Sequence, residues 1–176
     1  MSNKLNVTFF LIFFLCTFLA CSNNSQDTSN EKSNKANTSQ TEVYIKNISA
    51  ASLYQPLSEK GFSIDKQLGD HVMFVDCDKT TAISSEHVRI SGDAPEKIVE
   101  IRASFTNTST TKTDEAAKQF LGFIATLPYE NAAPDQARSW IEGNISKNAK
   151  TTINGVNFEM FANLKNIRTL LITPVK

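Results

Sequence analysis

The sequence predicts an α+β fold: a two-layer antiparallel sheet of about five to six strands with helices packed on one face. Three observations carry this reading. Short alternations of apolar and polar residues are separated by tight turn signals, and tight turns join antiparallel strands. Two later segments, 113–127 and 134–145, place apolar residues at helical spacing instead. Each of these carries a single apolar stripe, which is enough to cover one face of a sheet.

The elements follow in chain order. Ser49 suits a helix cap, Leu53 and Leu57 share a face, and Gly61 is a natural stop, so a helix is expected over Ser49–Lys60. Pro56 should kink it or open a separate short turn. Phe62-Ser63-Ile64 alternates, Gly69-Asp70 is a plausible two-residue turn, and Val72–Val75 reads as a short, well-covered strand. His87–Ile90 alternates through Val88 and Ile90, and Gly92–Glu96 is a turn. Lys97–Phe105 is the cleanest strand, with Val99, Ile101, Ala103 and Phe105 facing one way and Glu100, Arg102 and Ser104 the other.

Thr113 caps the next helix, with Asp114 and Glu115 at its positive end. Its stripe is Ala117, Phe120, Leu121, Ile124 and Leu127. Pro134 opens a third helix whose stripe is Ala137, Trp140, Ile141 and Ile145. Asn154-Gly155 marks a hairpin, Val156, Phe158 and Met160 alternate, and Ile167–Ile172 forms the last strand. The order is helix, four strands, two helices, two strands. In that order it resembles cystatin-like and TBP-like two-layer folds, an architectural likeness that implies no function.

The 176 residues fit one domain plus extensions. Eighteen basic groups balance eighteen acidic ones, which argues against nucleic acid as a partner, because that binding needs a concentrated basic face. Three cysteines make no disulfide framework. Lys4 followed by the apolar run Phe9–Ala20 has the form and length of a signal peptide over residues 1–20. Cys21 comes directly after Ala20 and before Ser22. This junction resembles the lipobox of bacterial lipoprotein precursors. The resemblance implies cleavage between Ala20 and Cys21, diacylation of the Cys21 thiol, and attachment to the cell envelope, at the outer membrane if the host is Gram-negative. Two acyl chains give anchoring that one chain cannot.

Ser, Asn, Thr and Gln fill 15 of the 20 positions from 22 to 41. Such a segment cannot bury enough surface to offset its ordering entropy, so 21–41 reads as the lipidated cysteine and a flexible tether. Its r.m.s. span would be about 25 Å. Residues 42–176 then form one globular domain.

The motif Phe-Val-Asp-Cys-Asp-Lys-Thr, Phe74–Thr80, resembles the first motif of haloacid dehalogenase-like phosphotransferases. The resemblance implies Asp76 as nucleophile, Asp78 as general acid, a Mg²⁺ ion to neutralise charge, and a parallel sheet with a helix soon after the motif. Read from the residues alone, the segment is a strand ending in a polar turn. His71, Asp76, Asp78 and His87 are a conceivable metal set, but no close ligand spacing calls for a metal or a cofactor. Cys77 reads as a small buried hydrophobe. Tyr129 and Trp140 either line a groove or fill the core, and Thr106–Lys112 is a polar loop and candidate contact surface.

No Ser-His-Asp elbow, glycine-rich phosphate loop or glutamate pair is present. The expectation is therefore a membrane-anchored envelope lipoprotein acting as a non-enzymatic binding module, held by its lipid and meeting an envelope protein. The alternatives are a small envelope phosphotransferase or hydrolase using Asp76 and Asp78, and a small-ligand carrier with a pocket between sheet and helices.

Overall fold

The computed structural model describes residues 43–176 apart from 69–72, 109–112 and 130. The leader, the Ala20–Cys21 junction, the tether, the Gly69-Asp70 turn, Val72 and His71 lie outside the described residues. The elements are α1 (Ala50–Glu59), β1 (Ser63–Leu68), β2 (Met73–Thr80), β3 (Ser84–Ala94), β4 (Lys97–Asn107), α2 (Thr113–Ala125), α3 (Pro134–Asn144), β5 (Ala149–Ile153), β6 (Val156–Leu164) and β7 (Ile167–Pro174). All strands join one antiparallel sheet in the order β1-β2-β3-β4-β7-β6-β5. The fold is α+β, as expected, but the sheet has seven strands rather than five to six. The additional strand is β5, whose sequence Ala-Lys-Thr-Thr-Ile buries only Ile153 fully. As an edge strand it has little apolar surface to show.

Two meanders, β1–β4 and β5–β7, meet where β7 pairs with β4. The chain between them runs through α2 and α3, which pack on each other, while α2 lies on β4 and β7. One core collects the inward side chains of both layers, among them Leu53, Val75, Val88, Ile101, Leu121, Ile141, Met160 and Leu170.

Local chemistry sets the element ends. Ser49 accepts from the Ser52 N–H while the Ser52 hydroxyl accepts from the Ser49 N–H, a reciprocal cap at the start of α1. Phe62 N–H bonds Leu57 carbonyl and Gly61 N–H bonds Ser58 carbonyl, a Schellman ending that needs the positive φ of Gly61. Of the two outcomes expected at Pro56, the separate turn does not occur: α1 runs unbroken through it, although that residue removes one helix hydrogen bond. Asn154 and Gly155 both have positive φ, the backbone of a two-residue hairpin turn between β5 and β6.

The β3–β4 hairpin corrects one assignment. Pairing is regular up to Ser91–Glu100, then Gly92 faces Ile98, so Val99 is the extra residue of a bulge. Ile98 takes the buried position expected of Val99. The bulge brings the chain so close that a Cβ on Gly92 would lie 2.0 Å from the Lys97 carbonyl oxygen. Gly92→Ala should therefore destabilise the domain by roughly 1–3 kcal/mol through overpacking against backbone. Urea denaturation checks this; a change below a few tenths would show that the hairpin yields freely.

Candidate functional site

Alternation on β2 decides where the acidic motif points. Val75 and Cys77 face the core, so Asp76 and Asp78 face the uncovered side of the sheet. The motif is thus mid-strand, not a strand ending in a polar turn. Register sets Asp76 opposite Arg89 and Asp78 opposite His87 on β3. Arg89 donates from Nε to Asp76 Oδ1 at 2.7 Å and from Nη2 to Oδ2 at 3.0 Å, a two-pronged pair. His87 Nδ1 lies 2.7 Å from Asp78 Oδ1, and its Nε2 lies 3.5 Å from Asp76 Oδ1. One imidazole therefore bridges both carboxylates.

The cluster sits within longer rungs. Asp65, Asp76, Arg89, Arg102, Leu171, Glu159 and Lys150 stand directly opposite one another from β1 across to β5. Arg102 Nε reaches Glu100 Oε1 at 3.0 Å along β4. Ser104 and Thr169 share a hydrogen bond of 3.1 Å between β4 and β7. Phe74 is 39% exposed on the same side, and the Arg89 guanidinium lies 5.8 Å from its ring centre. The reading of Val72–Val75 as well covered fails at Phe74, because only one side of the sheet carries helices.

The arrangement bears on the phosphotransferase resemblance. The sheet is antiparallel, and β3 rather than a helix follows the motif, so the parallel scaffold the resemblance implies is not this fold. A guanidinium occupies both oxygens of Asp76, so this donor set does not fit a Mg²⁺ ion. Of the four residues weighed as a metal set, Asp76, Asp78 and His87 do come together, bonded to one another and to Arg89. Among the described residues no group of three or more His, Cys, Asp or Glu is placed to hold a metal ion. Arg89 was missed from sequence. A hairpin turn centred on Ala82-Ile83 would have revealed it, because that turn sets Asp76 opposite Arg89.

The other candidates resolve into packing. The Tyr129 hydroxyl donates to the Ile124 carbonyl at 2.8 Å, and burial pushes its ionisation well up. Tyr129 and Trp140 both pack on Phe158, at 6.1 and 6.3 Å between ring centres. The cleft beside them, among Ala137, Val156 and Phe158, holds about 10 Å³, the lower bound for one water. Within the loop expected over 106–112, Thr106 and Asn107 belong to β4. Thr108 donates twice to the Ile83 carbonyl, from N–H and hydroxyl, fixing a turn that leaves Ile83 62% exposed. No helix among the described residues is long and apolar enough to cross a membrane. No protein family, no curated protein and no solved structure matches the chain.

Two predictions follow from this geometry. The Arg89 hydrogen bonds hold the Asp76 carboxyl below the usual carboxylate range, opposed by partial burial. A depressed folded value stabilises above the unfolded value, and that contribution is lost as pH falls through the folded one. The stability gap between the wild type and Asp76→Asn should be under about 1 kcal/mol at pH 7, since Arg89 is half exposed. It should shrink below about pH 4, read from melting curves against pH. A gap that acid leaves unchanged would locate it outside the ion pair. Burial, then the Asp76 and Asp78 charges, push the Cys77 thiol up to about 12. Iodoacetamide should therefore label Cys77 only when the domain is unfolded by urea, as followed by intact mass.

Proposed function

We propose that the chain is an envelope lipoprotein, cut between Ala20 and Cys21, acylated on Cys21 and tethered by residues 22–41. Its folded domain acts as a non-enzymatic binding module, with the uncovered sheet face as its contact surface. If the host is Gram-negative, the anchor lies in the outer membrane. The partner is another envelope protein.

One observation carries this reading: a seven-stranded sheet covered by helices on a single side, with its free side built from charges already paired in place. Asp76–Arg89, Asp78–His87 and Glu100–Arg102 are paired with one another before any partner arrives. Pre-positioned charges favour specific recognition more than raw affinity. Phe74 supplies an aromatic anchor among them. The Tyr129–Phe158 cleft itself is too small to carry a ligand.

The test is site-specific photocrosslinking in the native host. A benzophenone side chain at Phe74 should capture one envelope protein, and one at Ser139 on α3 should not. Cys21→Ala should abolish both incorporation of labelled palmitate and the Phe74 adduct. Palmitate labelling that survives Cys21→Ala would overturn the anchor. A Phe74 probe that yields no adduct from correctly fractionated protein would overturn the contact surface.

A further inference from the structure

On the opposite side of the molecule, α2, α3 and the end of α1 enclose an open groove of about 590 Å³, a size typical of small-molecule sites. Phe123 and Gly122 form its floor, and Lys60, Lys118, Arg138 and Glu142 stand around it. It continues into a smaller recess of about 190 Å³ over Phe62 and Phe120, whose rings stack at 5.8 Å.

We propose that this groove is a binding site for a small soluble monoanion with an apolar body, such as an aryl or alkyl carboxylate. Charge accounting gives the sign. Lys118 pairs with Glu115 at 3.6 Å, and Lys79 in the recess pairs with Glu86 at 3.4 Å. Among the described residues, Lys60, Arg138 and Glu142 make no ion pair in the structure, which leaves one net positive charge. Lys60 lies 5.4 Å from the centre of the Phe123 ring, so its ammonium and an apolar surface are presented together. A carboxylate on an apolar body matches both.

Gly122 is an independent indication. Glycine inside a helix is less favourable than alanine, and this one is the tenth of the thirteen residues of α2. A Cβ there would meet only Arg138 Cγ at 3.9 Å, an ordinary contact, so packing does not demand glycine. Its effect is to leave the groove floor bare. Places where a sequence departs from local preference without a structural cause are where function is to be sought.

The chain enters the domain at Tyr44, whose hydroxyl donates to Asp93 beside the β3–β4 turn. Glu86 lies seven residues back along β3 from Asp93, roughly 23 Å away at strand rise. The recess that Glu86 lines is therefore far along the sheet from the point where the chain enters the domain.

The experiment titrates 3-phenylpropionate into the full chain by ligand-observed NMR, with the neutral 3-phenylpropionamide as control. The carboxylate should bind at least about tenfold more tightly than the amide, as expected for hydrogen bonds to a charged group. Arg138→Glu, a change at an exposed side chain, should weaken it by about tenfold or more. Gly122→Leu should abolish it by filling the floor. Gly122→Ala should raise the melting temperature by roughly 2–4 °C, the gain of removing a helix glycine. Circular dichroism confirms that each variant is folded, and Arg138→Glu keeps the test decisive if Gly122→Leu does not fold. Equal binding of acid and amide, undiminished binding by Arg138→Glu, or no binding of the acid would each overturn the site.

Discussion

Every strand of this sheet runs antiparallel to its neighbours and helices cover one face of it only, and that constraint decides where the ionisable side chains of the central strands sit. On β2 it sends Val75 and Cys77 to the core and Asp76 and Asp78 to water. On β3 it sends Val88 and Ile90 inward and His87 and Arg89 outward. Antiparallel register then sets the outward residues of one strand directly against those of the next. The Asp76–Arg89 and Asp78–His87 pairs need no further arrangement. The same alternation keeps Cys77 inert: it lies between two carboxylates in sequence, yet on the opposite face, where apolar neighbours disfavour the thiolate.

The register shifts in two of the strand pairs, β3–β4 and β6–β7, and a specific group accompanies each. In the β3–β4 hairpin the compensation is the missing side chain of Gly92. In β6 the pairing with β7 skips between Phe161 and Leu164. A skipped ladder leaves carbonyls without strand partners. Arg168, only 7% exposed, turns inward beneath α2 and donates from Nη1 to the Leu164 and Ile167 carbonyls at 2.6 and 2.7 Å. Its Nε and Nη2 bind Asp114 in the first turn of α2, at 2.8 and 2.6 Å. One guanidinium thus satisfies the bulge and fixes the start of the helix to the sheet. Asp114 is 40% exposed, so the buried partner whose charge must stay compensated is Arg168.

Much of this was legible in the sequence, and the misses share a cause. Helices α2 and α3 were readable because their stripes are wide and nearly all apolar. The Asn154-Gly155 hairpin was readable because both residues tolerate positive φ. Strand β5 was not, because an edge strand with one fully buried residue has almost no alternation to detect. The continuation of β2 through Asp-Cys-Asp-Lys was missed because polarity was taken for a turn, although the alternation of Val75, Asp76, Cys77 and Asp78 was already present. Val99 and Ile98 were exchanged because a bulge is set by contact between strands and leaves no local trace. Arg89 and Arg168 belong to the same class: their roles depend on which residue a partner strand or helix brings opposite.

The two sides of the molecule differ in how their charges are resolved, and this difference underlies the two roles proposed for them. On the sheet face Arg89, Arg102 and His87 each have a carboxylate within hydrogen-bond distance, and Asp76 is shared by Arg89 and His87. Such a network orients its members across and along the strands, although each exposed pair adds little stability. It suits a surface that meets a second large surface. On the helix layer Lys60 and Arg138 face an apolar floor, and the glycine beneath them costs helix stability without serving the packing. An uncompensated charge over phenylalanine is an arrangement that a ligand can complete. The paired face and the incomplete groove lie on opposite sides of one core, so a substitution in either should leave the other intact.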